Sequence, residues 1–147
     1  MSDIKSYQIG GNANNAAIRF HEDGSFIAEA VPTAAETAYG DACDYGAALS
    51  GIVIRAYADA DIAAGTTGTL TVSILTGNTK TAAGTDTAAW TAVKTVSKSG
   101  STIYSAGDAI LTYVPDPNET SKYYMASIAA SSTGFTGKVN VWTELVP

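Results

Sequence analysis

The chain has 147 residues, with 14 acidic and 8 basic side chains and a formal net charge of −6 at pH 7. This length fits one domain that is large enough to bury a hydrophobic core. Residues 1–73 hold nine of the acids and three of the bases, so the negative charge is concentrated in the first half. Nucleic acid and anionic membranes both require a basic surface, and the composition argues against both as partners.

Cys43 is the only cysteine, which excludes an internal disulfide and a zinc site built from several cysteines. We expect it to be a small buried apolar residue. Residues 1–5 lack the basic start and apolar run of a signal peptide, and no segment has the length of a membrane helix. These features predict a protein that is made and assembled in the cytoplasm.

The N-terminal part of the chain predicts short strands and loops. Residues 4–9 alternate between polar and apolar side chains, as a short strand does, and residues 10–15 are a Gly/Asn-rich loop. Two apolar runs at 16–20 and 25–29 flank the four-residue loop 21–24, a pattern typical of a β-hairpin. Residues 33–50 predict an irregular crossing segment that contains one short strand, and the helix formers at 33–38 are compatible with a single helical turn.

The clearest strand in the sequence runs from Gly68 to Gly77, where Leu70, Val72 and Ile74 alternate with hydroxyl side chains. Successive side chains of a strand point to opposite faces, so this pattern predicts a sheet with one buried side. Similar patterns predict further strands, with loops or turns between them: strands at 52–57, 90–96, 109–114, 122–128 and 138–146, and loops or turns at 59–68, 78–89, 97–101, 115–118 and 131–134.

Short strands that alternate with Gly-, Ser-, Thr- and Pro-containing turns are typical of an all-β protein. Most of the connections are longer than tight hairpin turns, which favours crossings of the Greek-key or jelly-roll type. The predicted fold is therefore an antiparallel β-sandwich, jelly-roll-like, with an N-terminal hairpin or arm.

Few residues offer chemistry for catalysis or metal binding. His21 is the only histidine, so a histidine cluster is excluded and a catalytic triad would have to use a residue in a loop, where a surface role is more common. The pairs Asp59/Asp61 and Asp41/Asp44 supply oxygen atoms but lack the spacing of a calcium loop. We predict no catalytic, cofactor-binding or metal-binding residues and no enzymatic activity.

The aromatic residues leave two interpretations open. Trp90 and Trp142 either line a sugar-binding platform or pack in the core or against another subunit, and the scarcity of large side chains favours packing. Tyr123 and Tyr124 are neighbours on a predicted strand, so they must point to opposite faces. One of them is therefore expected in the core and the other at the surface.

One succession of strand and turn segments has a familiar order and spacing: 68–76, Trp90, 107–110, 115–118, 122–124 and 135–139. In these features the chain resembles the small capsid cement, or decoration, proteins of tailed bacteriophages, of the jelly-roll kind found on podovirus heads. The resemblance covers about Tyr39 to Val146. The first 35 residues depart from it, which predicts an N-terminal arm and hairpin at 1–35 followed by a sandwich domain at 36–147.

The resemblance implies a structural protein of the virion. Such a protein binds the outer surface of the capsid, contacts the major capsid protein and copies of itself as a dimer or trimer, and stabilises the shell against the pressure of packaged DNA. It would be found on the outer face of the capsid after assembly in the host cytoplasm. The alternative function is a carbohydrate- or receptor-binding β-sandwich module of a phage fibre or surface protein, which requires an exposed pair of aromatic side chains.

Overall fold

The computed structural model describes residues 25–44, 51–79 and 89–145. Within these ranges the chain forms β-strands and no α-helix. The strands are β1 (Phe26–Ala30), β2 (Thr37–Tyr39), β3 (Cys43–Asp44), β4 (Ile52–Gly77), β5 (Thr91–Tyr104), β6 (Ala109–Tyr113), β7 (Tyr123–Ala130) and β8 (Thr136–Leu145).

Strand β4 is the centre of the sheet and contributes to both of its halves. Its first part pairs with β8 along one edge and with β6 along the other, and its second part pairs with β7 and β5 in the same way. Ala63 pairs with Thr102 of β5 and with Thr136 of β8, which places those two strands on opposite edges of β4. Strands β7 and β8 therefore share one edge of β4, and β5 and β6 share the other.

The sheet consequently has two halves with antiparallel pairing throughout. The strand order is β1-β8-β4-β6 in the first half and β5-β4-β7 in the second, with β2 and β3 on the far edge of β7. The halves curl towards each other over a single hydrophobic core. Inside that core the hydroxyl of Thr143 on β8 donates a hydrogen bond of 2.8 Å to the Tyr124 hydroxyl on β7. The predicted all-β, antiparallel, sandwich-like fold is confirmed.

The alternation seen in the sequence builds this core. Leu70, Val72 and Ile74 are at most 1% exposed, and burying each side chain contributes roughly 1.5–3 kcal/mol. Tyr124 is fully buried while its neighbour Tyr123 is half-buried, as the sequence predicted. Cys43 is buried, which also agrees with its prediction.

Three local predictions were wrong. The predicted loop at 59–68 lies inside β4, where shifts in the pairing register at 58–60, 60–63 and 63–68 absorb the bend from one half to the other. The predicted turn at 97–101 lies inside β5, because its residues pair with β4 from Gly68 to Thr71. The helical turn expected at 33–38 is a bend followed by β2, whose backbone pairs with β7, whereas the short strand expected in the segment 33–50 is confirmed by β2.

Some predictions fall on residues that the structure does not describe. These are the strand at 4–9, the loop at 10–15, the first arm of the hairpin at 16–20, the loop at 21–24 with His21, and residues 80–88 of the loop at 78–89. The second arm of that hairpin corresponds to β1, which pairs with β8. The division of the chain at residue 35 stays a prediction.

The bend of β4 is covered by the segment between β7 and β8. Phe135 from that segment is 1% exposed, and its ring lies directly against Gly68. A Cβ atom at Gly68 would stand 2.7 Å from Cζ of Phe135, which is closer than real Cβ contacts. At Gly65, on the exposed side of the bend, a Cβ atom would stand 3.4 Å from Gly134, an ordinary contact.

We expect Gly68→Ala to lower the free energy of unfolding by about 1–3 kcal/mol, because the added methyl group overpacks the contact with Phe135. The matched variant Gly65→Ala should change it by less than about 0.5 kcal/mol. Urea unfolding of both variants measures the difference. Equal stabilities would show that the ring of Phe135 moves aside without cost.

The other side of the sandwich is closed by Ser25, which precedes β1 and is 4% exposed. Its hydroxyl donates to the carbonyl of Asp41 at 2.8 Å and accepts from the backbone N–H of Ala126 in β7 at 2.9 Å. Its own N–H donates to the carbonyl of Val141 in β8 at 2.8 Å. One residue thus connects β8 of the first half to β7 of the second.

Replacing Ser25 with Ala would leave the buried N–H of Ala126 without this acceptor. An unsatisfied buried donor costs about 1–3 kcal/mol, so we expect the free energy of unfolding to fall by that amount. Ser101→Ala, which removes an exposed hydroxyl from β5, is the control and should cost less than about 0.5 kcal/mol. Thermal or urea unfolding of the two variants tests the expectation, and a Ser25→Ala protein as stable as the control would contradict it.

Candidate functional site

Of the two acidic pairs noted in the sequence, Asp59 and Asp61 make structural contacts through their carboxylates. An oxygen of Asp59 accepts a hydrogen bond from the side-chain amide of Asn140, and an oxygen of Asp61 accepts one from the backbone N–H of Ala106, both at 2.8 Å. Among the described residues, no three His, Cys, Asp or Glu side chains are grouped as a metal site would require. The two aspartates therefore hold neighbouring strands and loops in place.

The outer face of the first half carries a group of aromatic and charged residues. Because Ile54 and Ala56 of β4 and Val139 and Val141 of β8 point into the core, the residues between them point outward. These outward residues form what we call the aromatic face: Arg55, Tyr57, Asp59, Asn140, Trp142 and Glu144.

Two rings and an ion pair lie at the centre of the aromatic face. The ring centroids of Tyr57 and Trp142 are 5.6 Å apart, and the ring planes are inclined by 37°. The indole Nε1 of Trp142 donates to Oε2 of Glu144 at 2.5 Å, and Oε1 of the same carboxylate lies 3.1 Å from Nε of Arg55. The Arg55 contact is a charge pair and not an aligned hydrogen bond. The Glu144 side chain is 12% exposed, so the carboxylate holds the indole in position from below the surface.

Asn140 fixes the edge of the aromatic face. Its Oδ1 accepts a hydrogen bond of 2.6 Å from the backbone N–H of Ala28, while its Nδ2 donates to Asp59. Ala28 has a φ of +48° and lies at the bulge where β1 shifts register against β8. The amide thus replaces a backbone partner for a distorted edge strand and orients Asp59 at the same time.

The sequence left open an aromatic pair of Trp90 and Trp142 but favoured packing for both, and it did not point to Tyr57. Trp90 is 7% exposed and packs against Gly77 in the second half, so it does not share a surface with Trp142. The partner of Trp142 is Tyr57, 85 positions away along the chain. The sequence shows side chains that alternate with a period of two at 53, 55 and 57 and at 140, 142 and 144. It does not show that β4 pairs with β8, which brings Tyr57 and Trp142 together.

A second surface lies on the opposite edge of β4, where β5 and β6 run. A cleft of about 610 Å³ is lined by Val93 of β5, by Tyr113 at the end of β6, and by residues of the turn that follows: Val114, Pro115, Asp116, Pro117 and Glu119. Val114 is 64% exposed, one of two large hydrophobic side chains in the described ranges that are mostly solvent-accessible. The turn is rigid, because Asp116 accepts hydrogen bonds from the backbone N–H groups of Asn118 and Glu119 at 2.8 Å.

Strand β5 borders this cleft and is exposed over most of its 14 residues. In the part of the chain that the structure describes, it pairs with β4 alone. Lys94 and Lys98 pair with Ile74 and Leu70, so both lysines lie on the side of β5 that faces the core. Charges placed in this way discourage unspecific strand addition at a free edge. We call β5 together with residues 113–119 the edge surface.

The far end of β5 is anchored by an aromatic residue. Nζ of Lys98 lies 4.6 Å from the ring centroid of Tyr104, a cation–π contact. Burial of Tyr104, and secondly the negative charge of Asp108, raises the pKa of its hydroxyl above the ordinary value. The phenol therefore stays neutral beneath the lysine at physiological pH.

The hydroxyl side chains on the outer face of the second part of β4 form hydrogen bonds with hydroxyl side chains of β5. Three pairs of hydroxyl side chains face each other across the two strands, Thr69 with Ser99, Thr71 with Ser97, and Ser73 with Thr95, at 2.7–3.1 Å. Cross-strand pairs of this kind each contribute roughly 0.2–1 kcal/mol. The outer face of the second half is thus a hydroxyl surface, chemically unlike the aromatic face.

No family model, curated protein or solved structure was found to match the chain. The described residues include no helix of the length and apolar character that a membrane span requires. The two surfaces above are therefore interpreted from their own geometry.

Glu144 is the residue on which the arrangement of the aromatic face depends. We expect Glu144→Ala to lower the free energy of unfolding by about 1–3 kcal/mol, because it removes the acceptor for the Trp142 indole and the counter-charge for Arg55. Glu144→Gln keeps an acceptor oxygen and should cost less. The exposed Glu36 is the control, and its replacement with Ala should cost under about 0.5 kcal/mol.

Urea unfolding followed by tryptophan fluorescence measures these differences. If Glu144→Ala were as stable as Glu36→Ala, the carboxylate would not be what positions the indole.

Proposed function

We propose that this protein is a non-enzymatic structural component of a phage virion that binds the outer surface of the capsid and stabilises the shell against internal DNA pressure. Its partners would be the major capsid protein and further copies of itself, as a dimer or trimer. The resemblance of residues 39–146 to podovirus cement proteins motivates the proposal. The observation that carries it is the edge surface, where a long edge strand borders an apolar cleft.

The edge surface has the composition of a protein-binding site. Val93, Tyr113, Val114 and the two prolines offer apolar area, and the charged side chains of Asp116 and Glu119 line the same cleft. Protein–protein interfaces likewise combine apolar area, including aromatic side chains, with polar groups. The rigid turn and the paired strand also hold the surface in one shape, which lowers the entropy lost on binding.

Binding to a capsid shell does not require a high affinity at each single contact. A capsid presents many equivalent sites, and a protein that contacts its own copies as well as the shell gains avidity from the linked contacts. Charged residues make up only 15% of this chain, below the usual quarter. Such a weakly charged surface loses little solvation free energy when it packs against neighbours.

The test uses phage heads stripped of this protein and mixed with the purified chain. We expect wild-type protein to sediment with the heads and to reduce DNA release under osmotic shock. Val114→Asp places a charge in the apolar cleft, and burying that charge on binding is costly, so occupancy should fall at least about tenfold.

Ile27 provides the matched control. It is 59% exposed on β1, at the opposite edge of the first half from β6, and Ile27→Asp should leave occupancy unchanged. Equal binding by both variants would place the contact elsewhere than the edge surface. Failure of the wild-type protein to sediment with heads would reject the function itself, and a monomer in equilibrium sedimentation would reject the self-association.

A further inference from the structure

The aromatic face is a second surface, separate from the edge surface, and its chemistry suits a different ligand. We propose that it binds a neutral oligosaccharide, with a hexopyranose ring stacked on Tyr57 and Trp142 and its hydroxyl groups bonded to the surrounding polar side chains. The inference does not depend on the binding of a capsid, because it rests on the residues of β4 and β8 alone.

The first argument is the geometry of the two rings. Tyr57 and Trp142 are half-buried neighbours whose centroids are 5.6 Å apart, inclined by 37°, on the outer side of adjacent strands. A sugar ring presents a face of C–H bonds, which packs against the electron-rich face of an aromatic ring. Two adjacent rings at this spacing offer a continuous shallow platform on which such a sugar can lie.

The second argument is that the platform is pre-formed. Glu144 holds the indole through Nε1, and Asn140 holds the carboxylate of Asp59 through Nδ2. Both aromatic residues stand on paired strands and not on loops. A ligand would therefore bind without ordering these side chains first, which avoids a cost of about 0.5–1.5 kcal/mol for each one.

The third argument is the set of polar groups around the rings. The guanidinium of Arg55, with a side chain that is 37% exposed, supplies donors, and the carboxylate of Asp59 supplies acceptors. Hydroxyl groups of a sugar both donate and accept, so they match a rim that contains both kinds of group. At the start of β4 this face ends at Val53, which is 3% exposed. Further along the face, Tyr57 and Trp142 are partly exposed.

The fourth argument is charge, which selects the class of ligand. Arg55 is the cation of the aromatic face and Asp59 and Glu144 are its carboxylates, and Lys138, two residues before Asn140 on the outer side of β8, adds a second cation at its edge. Charges of both signs are thus interspersed, so neither an anionic nor a cationic ligand meets a patch of one sign. An uncharged ligand with many hydroxyl groups loses nothing by this arrangement, which favours a neutral glycan over a quaternary ammonium or an acidic polysaccharide.

The experiment measures binding to the isolated full-length protein by calorimetry and tryptophan fluorescence. The probes are three neutral oligosaccharides, namely cellohexaose, maltohexaose and chitohexaose, with hexagalacturonate and tetramethylammonium chloride as charged comparisons. We expect at least one neutral probe to bind with a dissociation constant of about 1 mM or lower and to change the tryptophan emission. Tyr57→Ala should weaken that binding at least about tenfold.

Two further variants separate binding from folding. Tyr57→Phe keeps the ring and should retain binding, and Tyr123→Ala removes a half-buried tyrosine from the second half and should have no effect. Absence of binding by all three neutral probes at millimolar concentration would overturn the proposal. Binding that Tyr57→Ala leaves unchanged, or binding of a charged probe alone, would overturn it as well. None of these results depends on sedimentation with phage heads.

Discussion

The central constraint in this structure is that a single strand, β4, pairs with four other strands, two along each of its edges. Its 26 residues cannot remain straight and still face one core from both halves of the sheet. The register shifts between Ala58 and Gly68 provide the bend, and the absence of a side chain at Gly68 lets Phe135 cover it. The core, the cleft beside β5 and the aromatic face all take their positions from this bend.

Bending one strand brings the two halves of the sheet together on one side, and hydrogen bonds complete the closure on the other. Ser25 connects β8 to β7 at the edge, and Thr143 bonds to Tyr124 in the interior. Both contacts use polar groups that are buried and paired, and removing one partner of such a pair costs more than the bond itself contributes. They therefore restrict the sandwich to one alignment of its halves, in addition to stabilising it.

The alignment leaves surfaces with different chemistry. The second half presents paired hydroxyl groups, the first half presents Tyr57 and Trp142 among charges of both signs, and the shared edge of β5 and β6 presents an apolar cleft. A protein bound through its edge surface would keep the aromatic face open to solvent, because that face lies on the outer face of the sheet and not at its edge. The two proposed activities, shell binding and glycan binding, are thus compatible in one small domain because they use separate strands or separate sides of the same strand.

The sequence by itself determined the all-β class, the buried face of Leu70, Val72 and Ile74, and the opposite orientations of Tyr123 and Tyr124, because all of these follow from the period of two along a strand. It did not reveal that residues 59–68 and 97–101 are strand, since glycines, threonines and serines in those segments have a local preference for turns that pairing with β4 overrides. The pairing of Tyr57 with Trp142 was also decided by tertiary structure alone. Which strands become neighbours depends on the packing of the whole core, and no local pattern records it.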